Sequence, residues 1–173
     1  MHIVDMILSS AVFIGLVLTW KDYNARWMFL LLSFFQLVDV TFNPIAIQWT
    51  RHYYLWCLAL NTFFLFLILT RGVLAGLVFR TTKLTFFKKA REHYCLTIPE
   101  CAVCIIIFCS MLLNVSIWIE IQLYYYEVLN YPFIYHHLWS PAQYTFHILD
   151  TLALFTFMIR SMRSKGELVY ERN

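Results

Sequence analysis

Charge is scarce in this sequence. Only 13% of its 173 residues are Asp, Glu, Lys or Arg, whereas soluble domains average about 25%. A water-soluble fold needs charged side chains to cover its surface, so this scarcity excludes a soluble globular enzyme and an intrinsically disordered chain. The sequence also has no internal repeat and no low-complexity stretch. Its five cysteines do not form the framework of a disulfide-rich secreted domain.

Apolar residues take the place of the missing charge. They make up 61% of the chain, and Phe, Trp and Tyr alone contribute 19%. A helix needs about 20 apolar residues to cross ~30 Å of hydrocarbon, and lipid offers the backbone no hydrogen bonds. We therefore predict an all-α, polytopic membrane helix bundle that forms one domain over residues 1–173. The predicted transmembrane helices are five segments: 2–20, 27–47, 54–73, 101–124 and 144–159.

The distribution of Lys and Arg predicts the orientation of these spans. Five spans would place 11 of the 13 Lys and Arg residues on the same side of the membrane. These residues are Lys21, Arg26, Arg80, Lys83, Lys88, Lys89, Arg91, Arg160, Arg163, Lys165 and Arg172. The opposite flanks contain only Arg51, and Arg71 lies within the third span. Since positive flanks stay in the cytoplasm, we expect the N-terminus outside and the C-terminus inside. We expect a multi-pass protein of the bacterial inner membrane.

Short motifs predict where three helices begin or end. Ser140 followed by Pro141 is typical of an N-cap and first helical position, opening the fifth span. Thr97 and Glu100 have the spacing of a capping box at the start of the fourth span. Pro44 lies late in the second span, where it should kink or end the helix.

The inner segment 80–98 is basic and contains no glycine and no proline. Its first part, residues 80–93, is expected to continue the third helix out of the membrane. Four cations in this segment are the candidates for docking to lipid or to a partner: Lys83, Lys88, Lys89 and Arg91. Contact with anionic headgroups of the cytoplasmic leaflet is one interpretation, at about 1 kcal/mol per charge. Docking of a cytoplasmic protein is the other, and we expect no direct nucleic-acid binding.

The outer loop 126–140 is rich in Tyr, Trp and His. Amphipathic aromatic side chains favour the headgroup level, so a belt at the outer interface is the simpler interpretation. The alternative is a cap over an outer vestibule, with His136 and His137 as proton or metal contacts.

The predicted spans contain polar side chains, which concentrate in the outer half. At ~1.5 Å per residue, Asp39 lies ~18 Å from the inner face and Asp150 ~9 Å below the outer face. The candidates for an ion or proton pathway are Asp39, Asp150, His147, Asn43 and Glu120. Asp5 and Glu120 lie near the interface, where solvation alone explains an acid. Hydrogen bonding between helices is the structural alternative for Asp39 and Asp150.

Three further features have simple interpretations. Arg71 lies near the inner interface, where snorkelling explains it. Gly72 and Gly76 allow close helix approach, so they are the candidate packing residues of a homo-oligomer. Cys101 and Cys104 have the spacing of half a zinc site, but Cys104 should lie in hydrocarbon. We therefore expect no metal and no cofactor.

These observations favour a non-enzymatic, oligomeric membrane protein, either a channel-like or a membrane-sensing subunit. No Ser-His-Asp, Walker or HExxH pattern supports an enzyme. A proton- or cation-coupled carrier that uses Asp39, Asp150 and His147 is the alternative. A membrane component of a bacterial immunity or phage-defence system is a further one, compatible in size but without a motif match.

Overall fold

The computed structural model describes the backbone of residues 2–170 and the side chains of residue 7 and residues 9–163. The side chains of Asp5, Lys165 and Arg172, which enter the sequence argument, lie outside this part. The six α-helices are α1 (His2–Leu18), α2 (Tyr23–Ala46), α3 (Tyr53–Thr82), α4 (Thr85–Glu92), α5 (Ile98–Tyr125) and α6 (Trp139–Tyr170). A 3-10 turn (Ile47–Trp49) extends α2, and a π-helical segment (Ile134–Leu138) precedes α6. No strand occurs within residues 2–170, so the all-helical prediction is confirmed.

Three helical stretches are long and apolar enough to cross a membrane. They are Tyr23–Trp49, Tyr53–Thr82 and Ile98–Tyr125. The described part of α1, Ser9–Leu18, is a shorter apolar helix, and α6 is not among the three. The first and fifth predicted spans therefore stay predictions.

The local signals were right at two helix ends and wrong at a third. The capping box of Thr97 and Glu100 opens α5, as predicted, and α2 ends two residues after Pro44. The N-cap prediction at Ser140 is wrong, because the π-helical segment runs directly into α6 and Ser140 is already helical. The outer loop 126–140 is correspondingly shorter, since only residues 126–132 are irregular.

Five helices pack side by side in a closed ring. Its order is α1, α2, α3, α5, α6 and back to α1. All five contribute to one apolar core, including Val12 of α1, Phe29 of α2, Ile68 of α3, Ile107 of α5 and Leu154 of α6. These residues come from the end of each helix that carries the Lys and Arg flanks.

In the opposite half of the ring, α2 and α6 are less closely packed, whereas Leu60 of α3 and Ile117 of α5 stay buried. After Leu32, the next buried residue of α2 is Ala46, at its far end. On α6, none of residues 139–152 is buried, whereas Leu154, Phe157 and Met158 are. We call the closely packed half the inner half and the other the outer half.

The basic segment after α3 folds back on the bundle. Helix α3 extends to Thr82 and ends at Lys83, which adopts a left-handed conformation with φ of 58°. A new helix, α4, then packs against α3 and α2, so the expectation of one continuous helix over residues 80–93 is wrong. Phe86, Phe87 and Ala90 of α4 join a second apolar cluster with Trp27 and Leu31 of α2, among others. This packing explains the reversal, because the apolar face of α4 would otherwise be exposed.

Candidate functional site

A buried ion pair between Arg71 of α3 and Glu100 of α5 lies at the centre of the inner half. The side chain of Arg71 is 0% exposed and that of Glu100 is 1% exposed. Nη1 of Arg71 donates to Oε1 of Glu100 in a very short contact. The interpretation of Arg71 as a snorkelling residue is therefore wrong.

Further hydrogen bonds occupy the remaining atoms of this pair. Nη2 of Arg71 donates to Oδ1 of Asn24 at 3.0 Å and to the carbonyl oxygen of Cys95 at 2.9 Å. The other carboxylate oxygen of Glu100 accepts the backbone N–H of Thr97 at 2.6 Å. Only Nε of Arg71 lacks a hydrogen-bond partner among the described residues. A buried pair is tolerated when its lone pairs and protons are satisfied in this way.

The segment between α4 and α5 is tied to the same centre. Nδ2 of Asn24 also donates to the carbonyl of Cys95, at 3.1 Å. The Tyr94 ring covers the guanidinium of Arg71, with Cζ 5.1 Å from the ring centroid, and its hydroxyl donates to the carbonyl of Leu69 at 3.3 Å. Nε1 of Trp27 donates to the carbonyl of Arg71 at 3.0 Å. Helices α2, α3 and α5 and the α4–α5 connection therefore meet at one guanidinium.

The four predicted docking cations lie around this centre, on the surface. All four are exposed, and we call Lys83, Lys88, Lys89 and Arg91 the basic platform. Lys89 is fixed by Tyr23 of α2, to whose hydroxyl Nζ donates at 3.2 Å. Lys88 lies 4.0 Å from Glu92 in an exposed i, i+4 pair, which is worth little in water. The platform is thus a charged surface fixed to a rigid base.

At the two glycines of α3, side chains from elsewhere in the same chain pack against the helix backbone. A Cβ at Gly72 would lie 2.8 Å from Cδ1 of Tyr94, and a Cβ at Gly76 would lie 3.1 Å from Cδ and Nη1 of Arg91. The close approach that the glycine spacing indicates therefore occurs here within one chain. A role of Gly72 and Gly76 in packing between copies stays a prediction.

The outer-half candidates do not meet at one point in the described contacts. Asn43 accepts the Tyr53 hydroxyl at 3.2 Å, and Asp39 lies near enough to Tyr53 and Cys57 to interact electrostatically. This small cluster joins α2 to α3. Asp150 belongs to α6, where it is half-buried beside His147, which lies one turn away. One oxygen of Asp150 is buried without a hydrogen-bond partner among the described residues.

Glu120 holds the outer loop. The residue is 7% exposed, and its two carboxylate oxygens accept the backbone N–H groups of Ile134 and Tyr135, each at 2.8 Å. The sequence interpretation that solvation explains Glu120 is therefore wrong. This carboxylate satisfies the free N–H groups at the start of the π-helical segment.

The outer histidines pack among aromatic rings. His136 stacks on Tyr131 with ring centroids 5.0 Å apart, and Nε2 of His137 lies 3.3 Å from the Tyr131 hydroxyl. Tyr54 of α3 contacts Tyr135 and Trp139 edge to face. Within the described residues, no group of three or more His, Cys, Asp or Glu could hold a metal ion, and this includes the neighbourhood of Cys101 and Cys104.

Several polar residues of the interior were missed by sequence reasoning. Asn24 lies before the predicted second span, and Glu100 was assigned only a capping role. Asn114 is 2% exposed and donates to Ser110, which also accepts from Asn61 of α3 at 3.1 Å. Arg71 lies near the inner end of the third predicted span and Glu100 directly before the fourth, and this similar depth is the signal that could have indicated the ion pair.

Comparison with protein-family models, with curated proteins and with solved structures gives no match. The arrangement can therefore be interpreted only from its own chemistry. Arg71 is surrounded by a carboxylate, an amide and a carbonyl, and it holds α2, α3, α5 and the α4–α5 connection in fixed positions. An exposed cationic surface, the basic platform, adjoins it.

Proposed function

We propose that this chain is a non-enzymatic, membrane-sensing subunit whose basic platform reads the negative charge of the cytoplasmic leaflet. The observation that carries the proposal is the physical connection between the platform and the buried ion pair. Helix α4 presents its cations outward, while Tyr94 and Cys95, which follow it after His93, contact Arg71. A shift of α4 toward or away from headgroups is thereby coupled to the contacts among α2, α3 and α5.

The charge of the platform suits this role. A juxtamembrane cation near an anionic surface contributes about 1 kcal/mol, and the effect decays within a Debye length of about 8 Å at physiological salt. The apolar face of α4 stays on the bundle through Phe86, Phe87 and Ala90. The platform is therefore positioned to respond to surface charge without inserting into the bilayer.

The proposal includes five spans, with the N-terminus outside and the C-terminus in the cytoplasm. Its support is that the basic flanks gather at one end of the bundle. Arg26 stacks between Trp20 and Phe86, with Cζ 4.1 Å and 4.2 Å from the two ring centroids. Ser161 of α6, adjacent to basic residues, donates to Asp22 at the start of α2 at 2.8 Å. At the opposite end Arg51 lies over Tyr125.

The proposal also includes a homo-oligomer. Gln36 and Asp39 on α2, and His147 and Asp150 on α6, are only half-buried in a single chain. At membrane depth such side chains turn toward other helices or water. A second copy against the outer half would cover them.

The test uses the full chain in nanodiscs, which leave both faces open. Cys95 is exposed and its carbonyl contacts Arg71. The labelling rate of its thiol by a membrane-impermeant maleimide therefore reports on the contact between the α4–α5 connection and Arg71. We expect slower labelling in nanodiscs rich in anionic lipid than in zwitterionic ones, with recovery at high salt. Peptide mass spectrometry assigns the label to Cys95 rather than to the other four cysteines.

Two variants complete this test. Replacing Lys83, Lys88 and Lys89 with Gln should abolish the dependence on lipid charge. The matched control, Arg160→Gln with Arg163→Gln, removes exposed cations from the same end of the bundle outside the platform and should retain it. A labelling rate that ignores lipid charge in the unmodified chain would refute the sensing function.

A reporter fusion tests the orientation. A cytoplasm-active reporter joined after Asn173 should be active, and a periplasm-active one should be silent. The opposite pattern would exclude five spans with an outside N-terminus.

A proton- or cation-coupled carrier is the second candidate. It is favoured by Asp150, whose buried oxygen lacks a hydrogen-bond partner among the described residues. A carboxylate in that situation is a site that a proton or a cation satisfies. Ion flux in proteoliposomes, lost in Asp150→Asn, would support the carrier over the sensor.

A further inference from the structure

A groove runs along the surface of α3 at the inner half. Its volume is about 350 Å³. One wall consists of Leu69, Val73 and Leu77, which lie one turn apart and are each more than half exposed. The other wall is formed by Tyr94 and by Arg91 of the platform.

The missing side chains of two glycines create the floor of this groove. Gly72 leaves room for the Tyr94 ring, and Gly76 leaves room for the stem and guanidinium of Arg91, as their contact distances require. Part of the arginine side chain therefore lies against the backbone of α3, while the residue stays exposed. Its charge is brought to the edge of an apolar surface.

A second arginine closes the same end of the groove. Arg80 lies one turn beyond Gly76 and also lines the cavity. Neither Arg80 nor Arg91 forms a salt bridge with any residue that the structure describes. The groove thus has two guanidinium groups without a carboxylate partner at one end and an exposed apolar channel along its length. This arrangement is complementary to an amphipathic molecule with an anionic head.

We propose that this groove binds one anionic phospholipid of the cytoplasmic leaflet, with its phosphate between Arg80 and Arg91 and an acyl chain along Leu69, Val73 and Leu77. The dimensions agree with this ligand. Leu69 and Arg80 are 11 residues apart, or ~17 Å along the helix axis. This is about half of the ~30 Å hydrocarbon thickness, which is the depth of one leaflet.

The apolar wall decides between a lipid and a soluble anion. A free phosphate or an acidic peptide would use the two arginines but would leave Leu69, Val73 and Leu77 without a function. Those side chains belong to a helix apolar enough to cross the membrane. A lipid uses both ends of the groove.

The experiment is native mass spectrometry of the full chain, purified in mild detergent and incubated with phosphatidylglycerol. We expect one retained lipid per chain, and little retention of zwitterionic phosphatidylcholine. In Arg80→Gln with Arg91→Gln, retention should fall about 25-fold, because each cation near a headgroup contributes roughly a factor of five. Val73→Phe keeps both charges but fills the apolar channel, and should also lose the lipid.

A charge-matched control is Arg160→Gln with Arg163→Gln, which removes two exposed cations outside both the groove and the platform and should bind as the unmodified chain does. Equal retention by the double arginine variant, equal retention of the two lipids, or displacement by soluble glycerol phosphate would each overturn the proposal. If the double arginine variant does not fold, full retention by Val73→Phe overturns it.

This inference rests on the proposed platform function, but the two fail separately. Lipid retention without charge-dependent Cys95 labelling would leave the groove a lipid site and remove the sensing function. Charge-dependent labelling without retention would leave the sensing function and remove the lipid site.

Discussion

The two halves of the bundle treat polar groups differently. In the inner half, Arg71 and Glu100 are fully buried within an apolar core, and one set of hydrogen bonds joins them to Asn24, Thr97 and Cys95. In the outer half, Asp39 and Asp150 are half-buried and lie in separate surroundings. Burial separates these two pairs, although Glu120 of the outer half is also buried and accepts the backbone N–H groups of Ile134 and Tyr135.

This difference indicates a rigid half and an adaptable half. A buried pair with satisfied partners tolerates little movement, because any shift leaves an uncompensated charge in a low dielectric. Asp39 and Asp150 are only partly buried, so water, an ion or a second chain can approach them. On the proposed sensing function, a signal received at the platform would act first on the inner half, through Tyr94 and Cys95.

Removing one partner of the inner ion pair should have the largest effect. Arg71→Met leaves Glu100 buried without its counter-charge, so we expect the free energy of unfolding to fall by about 3–5 kcal/mol. Unfolding in detergent of increasing denaturing strength measures this change.

The double variant Arg71→Met with Glu100→Gln provides the control. Gln preserves the capping interaction with Thr97 and removes the orphaned charge, so most of the lost stability should return. Lys88→Gln, which breaks only an exposed pair, should be near neutral. If Arg71→Met were as stable as the unmodified chain, the inner half would not depend on its ion pair.

Disrupting the outer carboxylate that holds the loop should rank second. Glu120→Ala removes two charge-assisted hydrogen bonds to Ile134 and Tyr135, and we expect a loss of about 2–3 kcal/mol. Limited proteolysis should then cut faster between residues 126 and 132. Glu127→Gln changes an exposed acid of the same loop and should leave both measurements unchanged. Equal effects of the two variants would show that Glu120 does not hold the loop.

The two glycines of α3 should differ from each other. Gly72→Ala places a methyl group against the ring of Tyr94, which is held by Arg71 and Leu69, so we expect a loss of about 1–2 kcal/mol. Gly76→Ala meets the flexible side chain of Arg91 and should cost less. Thermal unfolding compares them within one chain, and the particle mass in mild detergent tests association. If a substitution at Gly76 changed the particle mass but not the stability, Gly76 would lie at an interface between copies of the chain.

Local rules predicted those features that a few neighbouring residues determine. Pro44 ends α2, and Thr97 with Glu100 begins α5, since each signal acts within one helical turn. The pairing of Arg71 with Glu100 depends on which faces of α3 and α5 meet, and hydropathy does not encode that register. The error at Ser140 has a similar origin, because the helical segment that precedes it is held by Glu120, a residue of another helix.

The smallest effect is expected at Asp150. One of its oxygens accepts no hydrogen bond from the described residues, so Asp150→Asn removes a poorly stabilised charge and keeps the shape of the side chain. We expect its free energy of unfolding to stay within about 1 kcal/mol of the unmodified chain, far from the loss at Arg71. Asp39→Asn is the matched variant, since Asp39 is likewise half-buried in the outer half but lies near Tyr53 and Cys57. Proton flux in liposomes, measured beside stability, separates the two roles. If Asp150→Asn kept its stability but lost proton flux, the outer half would carry the function, and the sensing role proposed for the inner half would be wrong.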